Sequence, residues 1–178
     1  MTFTPLERDE VQQPCITLVG MAGAGKSTLG ELLAERLRWG QLDTDRYLES
    51  YYAIPLQRIM DIYGLDEFLR IEEHLVSELN LTRTVISTGG SVIYGNAAME
   101  RLKKLGPVVL LGIDEDTFIE RVGDGENRGL AIAPGASMRD LYNERQPLYR
   151  AAADIVVNTD TNTPEECVNQ ILEQIEIS

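Results

Sequence analysis

The residues best suited to do chemistry stand together near the start of the chain, in GMAGAGKST at positions 20–28. This stretch fits GxxxxGK[ST], and it lies between the apolar run 15–19 and a helical pattern, the setting in which such a loop binds phosphate. Gly20, Gly23 and Gly25 let the backbone turn tightly, so the N–H groups along Gly23, Ala24, Gly25, Lys26, Ser27 and Thr28 can cradle phosphate oxygens at a helix N-terminus. Lys26 adds a mobile cation for the β- and γ-phosphates, and the Ser27 hydroxyl is placed to ligate Mg²⁺. A nucleoside triphosphate with Mg²⁺ is the expected ligand.

The elements that must position this loop can be read from periodicity. Leu29, Leu32, Leu33 and Leu37 place a helix over 26–38, and 41–45 (QLDTD) is a short second strand ending in Asp43 and Asp45, followed by a helical stretch over 46–52. Pro55 suits the first turn of a helix through Ile62, Gly64 stops it, and 65–79 carries Phe68, Ile71, Leu75, Val76 and Leu79 at helical spacing. A third strand covers 84–88 and turns sharply at Gly89, Gly90 and Ser91. Helix 96–104 and the near-continuous apolar strand 107–113 follow, and Asp114 N-caps a helix through Val122. The glycine-rich loop 123–137 carries Arg128 and reads as a closing lid. Helix 138–149 contains Arg145, 153–157 is a last strand, and 164–175 a closing helix. Strands alternating with helices imply a parallel sheet covered on both faces, with ligands at the carboxyl ends of its strands. Asp43, Asp45, Gly89 and Gly90 are thereby aimed at the same place as the phosphate loop.

Length and composition set bounds. A chain of 178 residues with 43% hydrophobic content suits one α/β domain over 14–178 behind a flexible lead-in over 1–13. Its formal net charge of -13, from 16 Lys and Arg against 29 Asp and Glu, argues against nucleic acid and anionic membrane surfaces as partners. Any anionic substrate must be held by a few focused cations. No membrane-length apolar segment and no signal-peptide core is visible, so a cytoplasmic protein is expected. Cys15 and Cys167 have no metal-type spacing and read as reduced, buried thiols; the single histidine, His74, sits in a helical pattern and reads as a surface or core-edge residue.

The loop alone does not separate a kinase from a switch or a motor. A guanine-reading NKxD motif is missing, and the strand at 84–88 ends in Thr88-Gly89-Gly90 where a Walker-B acid would stand. Taken in order, GMAGAGKST at 20–28, LDTD at 42–45, GLDEFLRIEE at 64–73, Gly89-Gly90, Arg128 and RQPLY at 145–149 resemble the shikimate kinase family over nearly the whole chain. The resemblance implies a P-loop kinase: a three-layer α/β/α fold with a five-stranded parallel sheet of order 2-3-1-4-5, ATP and Mg²⁺, a substrate-binding insertion at about 46–80 and a lid at about 123–137. It implies that Asp43 joins Ser27 at the metal, through the metal's water shell. Asp45 would hold the acceptor hydroxyl and take its proton, and Arg128 would stabilise the transferred phosphoryl group. It further implies that Arg121 stacks on adenine while Pro164 borders the base, and that Phe68, Gly89, Gly90 and Arg145 meet the acceptor, Arg145 as a two-pronged carboxylate grip. The family default is a monomer.

Three positions depart from the family pattern. Leu69 stands where the motif has an Arg that pairs with the shikimate carboxylate, Ser91 replaces a third glycine, and Gly129 follows Arg128 in place of proline. Arg70 points about 100° away on a helix and does not substitute. Donor-side residues are kept and acceptor-side residues changed. Shikimate is the first expected acceptor; homoserine or another small hydroxy acid, with an ammonium or hydroxyl for Asp45 and a carboxylate for Arg145, is the alternative. A catalytically silent ATP-binding regulatory module is the non-enzyme reading.

Overall fold

The computed structural model describes residues 14–123 and 130–175. The lead-in, Arg128 and Gly129 lie outside the described residues. Five strands form one parallel sheet: β1 (Ile16–Val19), β2 (Gly40–Asp43), β3 (Thr84–Ser87), β4 (Val108–Gly112) and β5 (Ile155–Asn158), in the order β2-β3-β1-β4-β5. β1 sits at the centre, with Ile16 paired to Val85 on one side and Thr17 to Val108 on the other. Every residue of β1, β3 and β4 is buried, the polar Thr17, Thr84 and Ser87 included, as expected of strands with helices on both faces. The edge strands differ: β2 is partly exposed throughout and β5 alternates buried with exposed.

Helices α1 (Lys26–Leu37), α2 (Thr44–Tyr52), α3 (Leu56–Tyr63), α4 (Leu65–Ser77), α5 (Asn96–Leu105), α6 (Glu115–Val122), α7 (Met138–Ala152) and α8 (Pro164–Gln174) connect or cover these strands. A 3₁₀ turn, Gly90–Tyr94, leads off β3. Asp114, Ser137 and Thr163 cap α6, α7 and α8 with their side chains, the last two as reciprocal capping boxes. Some boundaries differ from the periodicity reading: α7 runs on past 149 to Ala152, β5 starts at Ile155 and not at 153, and the joint after β2 shifts. The second strand ends at Asp43, whose carboxylate caps α2, so Asp45 sits in the first turn of a helix and not at a strand end. A short polar strand flowing directly into a helix carries no sequence mark at the joint.

Two apolar clusters result. The larger surrounds the sheet, with Leu18, Ile86, Leu110, Phe118 and Ile171 fully or nearly fully buried. The smaller belongs to the insertion α2–α4, where Leu48, Leu56, Ile59, Phe68 and Leu75 close on one another and on Ala131, from the segment expected to be a lid. The insertion therefore has a core of its own, with Ala131 packed into it.

α1 lies so close to β3 that a Cβ on Gly30 would sit 2.3 Å from Ser87 Oγ, and that hydroxyl donates to the Lys26 carbonyl at 2.9 Å. A mid-helix Gly→Ala change ordinarily gains about 1 kcal/mol. Here the added methyl displaces a buried hydroxyl beneath the phosphate loop, and overpacking of this kind costs roughly 1–3 kcal/mol. Gly30→Ala is expected to lower unfolding free energy in urea titration, and the double variant Gly30→Ala/Ser87→Ala to recover most of the loss.

Candidate active site

At the end of β1 the chain turns through the phosphate loop into α1. Gly23 and Gly25 take φ +74° and +90°, a region that side chains avoid, and Gly25 caps α1 without a side-chain bond. The first-turn amides of α1 are thus left for a ligand. Lys26 Nζ donates to the carbonyls of Gly20 and Met21 at 2.8 and 2.7 Å, and Ser27 Oγ donates to Asp43 Oδ2 at 2.8 Å. Asp43 Oδ1 accepts from the amides of Asp45 and Arg46 at 3.0 and 3.2 Å. One carboxylate both starts α2 and ties it to the phosphate loop, so its helix-capping and site-facing roles are compatible.

Ser27, Thr28, Gly25, Lys26 and Gly23 line a cavity of about 300 Å³ at the carboxyl edge of the sheet, and Asp43, Asp45, Gly90, Ser91 and Arg145 line it too. Five expected loop residues and the two aspartates are therefore brought together with the acceptor-side residues. Ala24 is buried behind the loop, its carbonyl accepting from Thr159 Oγ1 at 3.0 Å. Arg121 braces the same loop, donating from Nη1 to the Gly23 carbonyl at 3.0 Å and from Nη2 to the Thr159 carbonyl at 3.3 Å. Pro164 is exposed at the first position of α8 and is not part of the cavity wall.

At the far end, Arg145 is 1% exposed. Its Nε donates to Tyr94 Oη at 3.1 Å, its guanidinium lies 5.1 Å from the Tyr94 ring centroid, and Nη2 donates to the Ala131 carbonyl. A Cβ on Gly90 would come within 2.9 Å of Arg145 Nη1, so only a glycine leaves room for the guanidinium. The Gly89 amide donates to Thr44 Oγ1 at 2.9 Å, which fixes the turn against α2. Phe68 is buried in the insertion cluster beside Ala131 and forms no part of the cavity wall.

The oxygen-donor pair Ser27 and Asp43 fits a hard divalent cation, but no group of three His, Cys, Asp or Glu side chains among the described residues could hold a metal alone. An ion here needs phosphate oxygens to complete its shell, which is how Mg²⁺ is held in nucleotide sites.

The profile of the family described as "Shikimate kinase" matches residues 22–176. The chain belongs to the shikimate kinase family. It is 38% identical over 162 residues to a shikimate kinase of Chromohalobacter salexigens, covering 89% of this chain and 90% of the relative, and 38% identical over 163 residues to that of Pseudomonas paraeruginosa, covering 90% and 95%. A solved shikimate kinase from Acinetobacter baumannii, in complex with shikimate, superposes with TM-score 0.82 at 32% identity over 90% of this chain and 92% of that one. The Aquifex aeolicus enzyme gives 0.76 at 31% identity, over 89% and 94%. Family membership makes the chain a small-molecule kinase, with the five-stranded order expected from the resemblance.

Against that family pattern, Leu69 packs on the insertion cluster and supplies no charge. Arg70 turns outward and pairs with Glu67 at 2.8 Å. Ser91 does not crowd the cavity: its Oγ donates to Glu72 Oε2 at 2.6 Å. Glu72 is the residue that sequence reading missed. It is 1% exposed, and its Oε1 has no hydrogen-bond partner among the described residues. The signal was present, since position 72 falls on the stripe of Phe68, Leu75 and Val76, where a carboxylate breaks the apolar pattern.

Burial pushes the Glu72 carboxyl up to about 7, reinforced by the charge of Asp45. Burial together with the Asp43 charge lifts Asp45 to about 6, against the pull of Lys26. Burial lowers Lys26 to about 8 in spite of Asp45 and Asp43. For both acids the folded pKa is raised above the unfolded one, so their contribution to stability is complete below about pH 4 and is lost as pH rises through about 6 to 7. The midpoint of thermal unfolding is therefore expected to fall between pH 4 and pH 7, and Glu72→Gln to flatten part of that slope, as read by differential scanning fluorimetry across pH. A variant with an unchanged slope would exclude Glu72 as its source.

Proposed function

We propose that this kinase transfers the γ-phosphoryl group of ATP to an alcohol hydroxyl of a small carboxylated metabolite, with shikimate the first candidate and shikimate 3-phosphate, an intermediate of aromatic amino-acid biosynthesis, the product. One observation carries the reading: a single cavity has the phosphate loop at one end and Asp45, Ser91 and Arg145 at the other. Kinship over nine-tenths of the chain supports shikimate as the acceptor.

In this reading the hydroxyl oxygen of the acceptor bonds to the γ-phosphorus, the bond from that phosphorus to the β–γ bridging oxygen breaks, and ADP leaves with the electron pair. The hydroxyl proton passes to Asp45. Its raised pKa suits it to that task near neutral pH, although phosphoryl transfer asks more for an oriented nucleophile than for a strong base. Lys26 moves from the Gly20 and Met21 carbonyls to the phosphate oxygens, a displacement its flexible stem allows. Ser27 and Asp43, the latter through water, are the residues to hold Mg²⁺, which when bound neutralises charge on the phosphates. Arg128 is assigned the developing phosphoryl charge, and Arg121, already over the loop, the adenine face, with Pro164 at the border of the base. Arg145 grips the acceptor carboxylate, exchanging the Ala131 carbonyl for it. Gly89 and Gly90 form the floor beneath the acceptor, and Phe68 supports its wall from the insertion core.

A second reading, homoserine or a related small hydroxy acid, is favoured by Leu69. An apolar side chain at that place leaves the acceptor carboxylate without a second charged contact, and a lost charged hydrogen bond typically costs about 1.5–3 kcal/mol. A smaller acceptor does not need that contact.

A coupled ADP-release assay with shikimate, homoserine and gluconate side by side tests the proposal. Acceptor-dependent ADP release is expected, and Lys26→Ala and Asp45→Asn should each lower kcat by about 10²–10³ or more. Normal turnover in either variant overturns the mechanism, and ATP binding with no release on any acceptor would make the protein a binding module. Leu69→Arg should raise kcat/KM for shikimate by about tenfold.

A further inference from the structure

Helix α7 carries two side chains that hold the 3₁₀ turn Gly90–Tyr94 at both of its ends. Tyr149 Oη donates to the Gly90 carbonyl at 2.5 Å, and Arg145, one helical turn earlier on the same face, donates from Nε to Tyr94 Oη at 3.1 Å. The Tyr94 phenol has a second partner, donating to Glu144 Oε1 at 2.7 Å. Glu144 and Arg145 are adjacent in sequence and point about 100° apart on α7, so it is this phenol that joins the two opposite charges.

A phenol has one proton, and a carboxylate only accepts. With that proton committed to Glu144, the oxygen lone pairs are turned to Arg145, which can only donate. The chain Glu144–Tyr94–Arg145 therefore has a fixed polarity, running from an exposed acid to a buried guanidinium. The ring adds to the hold, its centroid 5.1 Å from the guanidinium carbon.

The same contact decides which edge of the guanidinium a ligand can use. Arg145 is the one arginine among the described residues that lines the cavity. A guanidinium offers a carboxylate either its Nε edge or the edge formed by its two terminal nitrogens. Tyr94 closes the first edge. Nη1 lies beside Gly90, which lines the cavity, and Nη2 is on the Ala131 carbonyl, so the terminal edge is the one left for an acceptor. Tyr94 itself is not part of the cavity wall.

We propose that Tyr94, oriented by Glu144, is a positioning residue for the acceptor: it occupies Nε of Arg145 and compels the guanidinium to take the acceptor carboxylate end-on, through Nη1 and Nη2. The inference rests on the reading in which Arg145 grips that carboxylate. Tyr94 acts through Arg145 and touches neither substrate.

The test is steady-state kinetics with shikimate and ATP on the wild type, Tyr94→Phe, Arg145→Lys and the double variant. Tyr94→Phe keeps the ring and removes the oxygen. It should raise KM for shikimate by about 10- to 100-fold, as expected for one lost hydrogen bond to a charged group, with a much smaller effect on kcat and on the KM for ATP. Glu144→Ala should raise the same KM by a smaller factor, and Glu144→Gln, which still accepts from the phenol, should restore most of the loss. Arg145→Lys lacks the planar fork, and on that background Tyr94→Phe should cost about threefold or less. If shikimate is not turned over, or if Arg145→Lys leaves its KM unmoved, the carboxylate reading of Arg145 fails and the inference with it. If Arg145→Lys raises that KM and Tyr94→Phe does not, only the positioning role fails. Effects that multiply in full in the double variant, or a KM for ATP that rises in step with that for shikimate, would show Tyr94 acting on the fold at large and would equally overturn the inference.

Discussion

Charge taken out of water at the carboxyl edge of the sheet is the constraint that the rest of this structure accommodates. Lys26, Asp45 and Arg145 line one cavity, buried or half-buried, with Glu72 buried behind Ser91, and three of these four charges have polar partners. Lys26 uses two loop carbonyls, Arg145 a tyrosine hydroxyl, a ring face and a lid carbonyl, and Glu72 a serine hydroxyl. A buried charge with incomplete partners destabilises a fold. It persists here because the all-buried strands β1, β3 and β4 and the cluster around them provide the rigidity that holds four such groups in place.

The donor half of the site was legible in the sequence because its chemistry is local. A phosphate loop needs glycines, a lysine and a serine at fixed offsets, and the largely apolar run before it suits a buried strand. Asp43 was legible as a strand-end residue, although the helix begins one residue after it and Asp45 belongs to that helix. The sheet order came from resemblance, since alternation of strands and helices fixes parallel pairing but not which strand takes the centre.

The acceptor half was less legible because its contacts join distant segments. Glu72 and Ser91 are 19 positions apart, Arg145 and Tyr94 are 51, and Tyr149, whose hydroxyl bonds the Gly90 carbonyl, is 59 from its partner. No spacing rule links such pairs. Glu72 betrayed itself only as an acid on an apolar stripe, a signal that a surface-facing carboxylate one position away would have cancelled. Phe68 looked like an acceptor contact from its motif, yet its side chain serves the core of the insertion, so its influence on the cavity passes through α4.

That core also takes in Ala131, from the segment after α6. Ala131 is buried among Leu48, Leu56, Ile59, Phe68 and Leu75, and its carbonyl is held by Arg145. An acceptor carboxylate at Arg145, as proposed above, would compete for the guanidinium donor that now holds the Ala131 carbonyl, while the Ala131 side chain stays packed in the insertion. In that reading, acceptor binding and the placement of residues 130–132 would be coupled through one guanidinium, each altering the other by the same factor. The phosphate loop sets which donor is used. The acceptor end is built instead from contacts between distant segments, Arg145 with Tyr94 and with Ala131, and Tyr149 with Gly90.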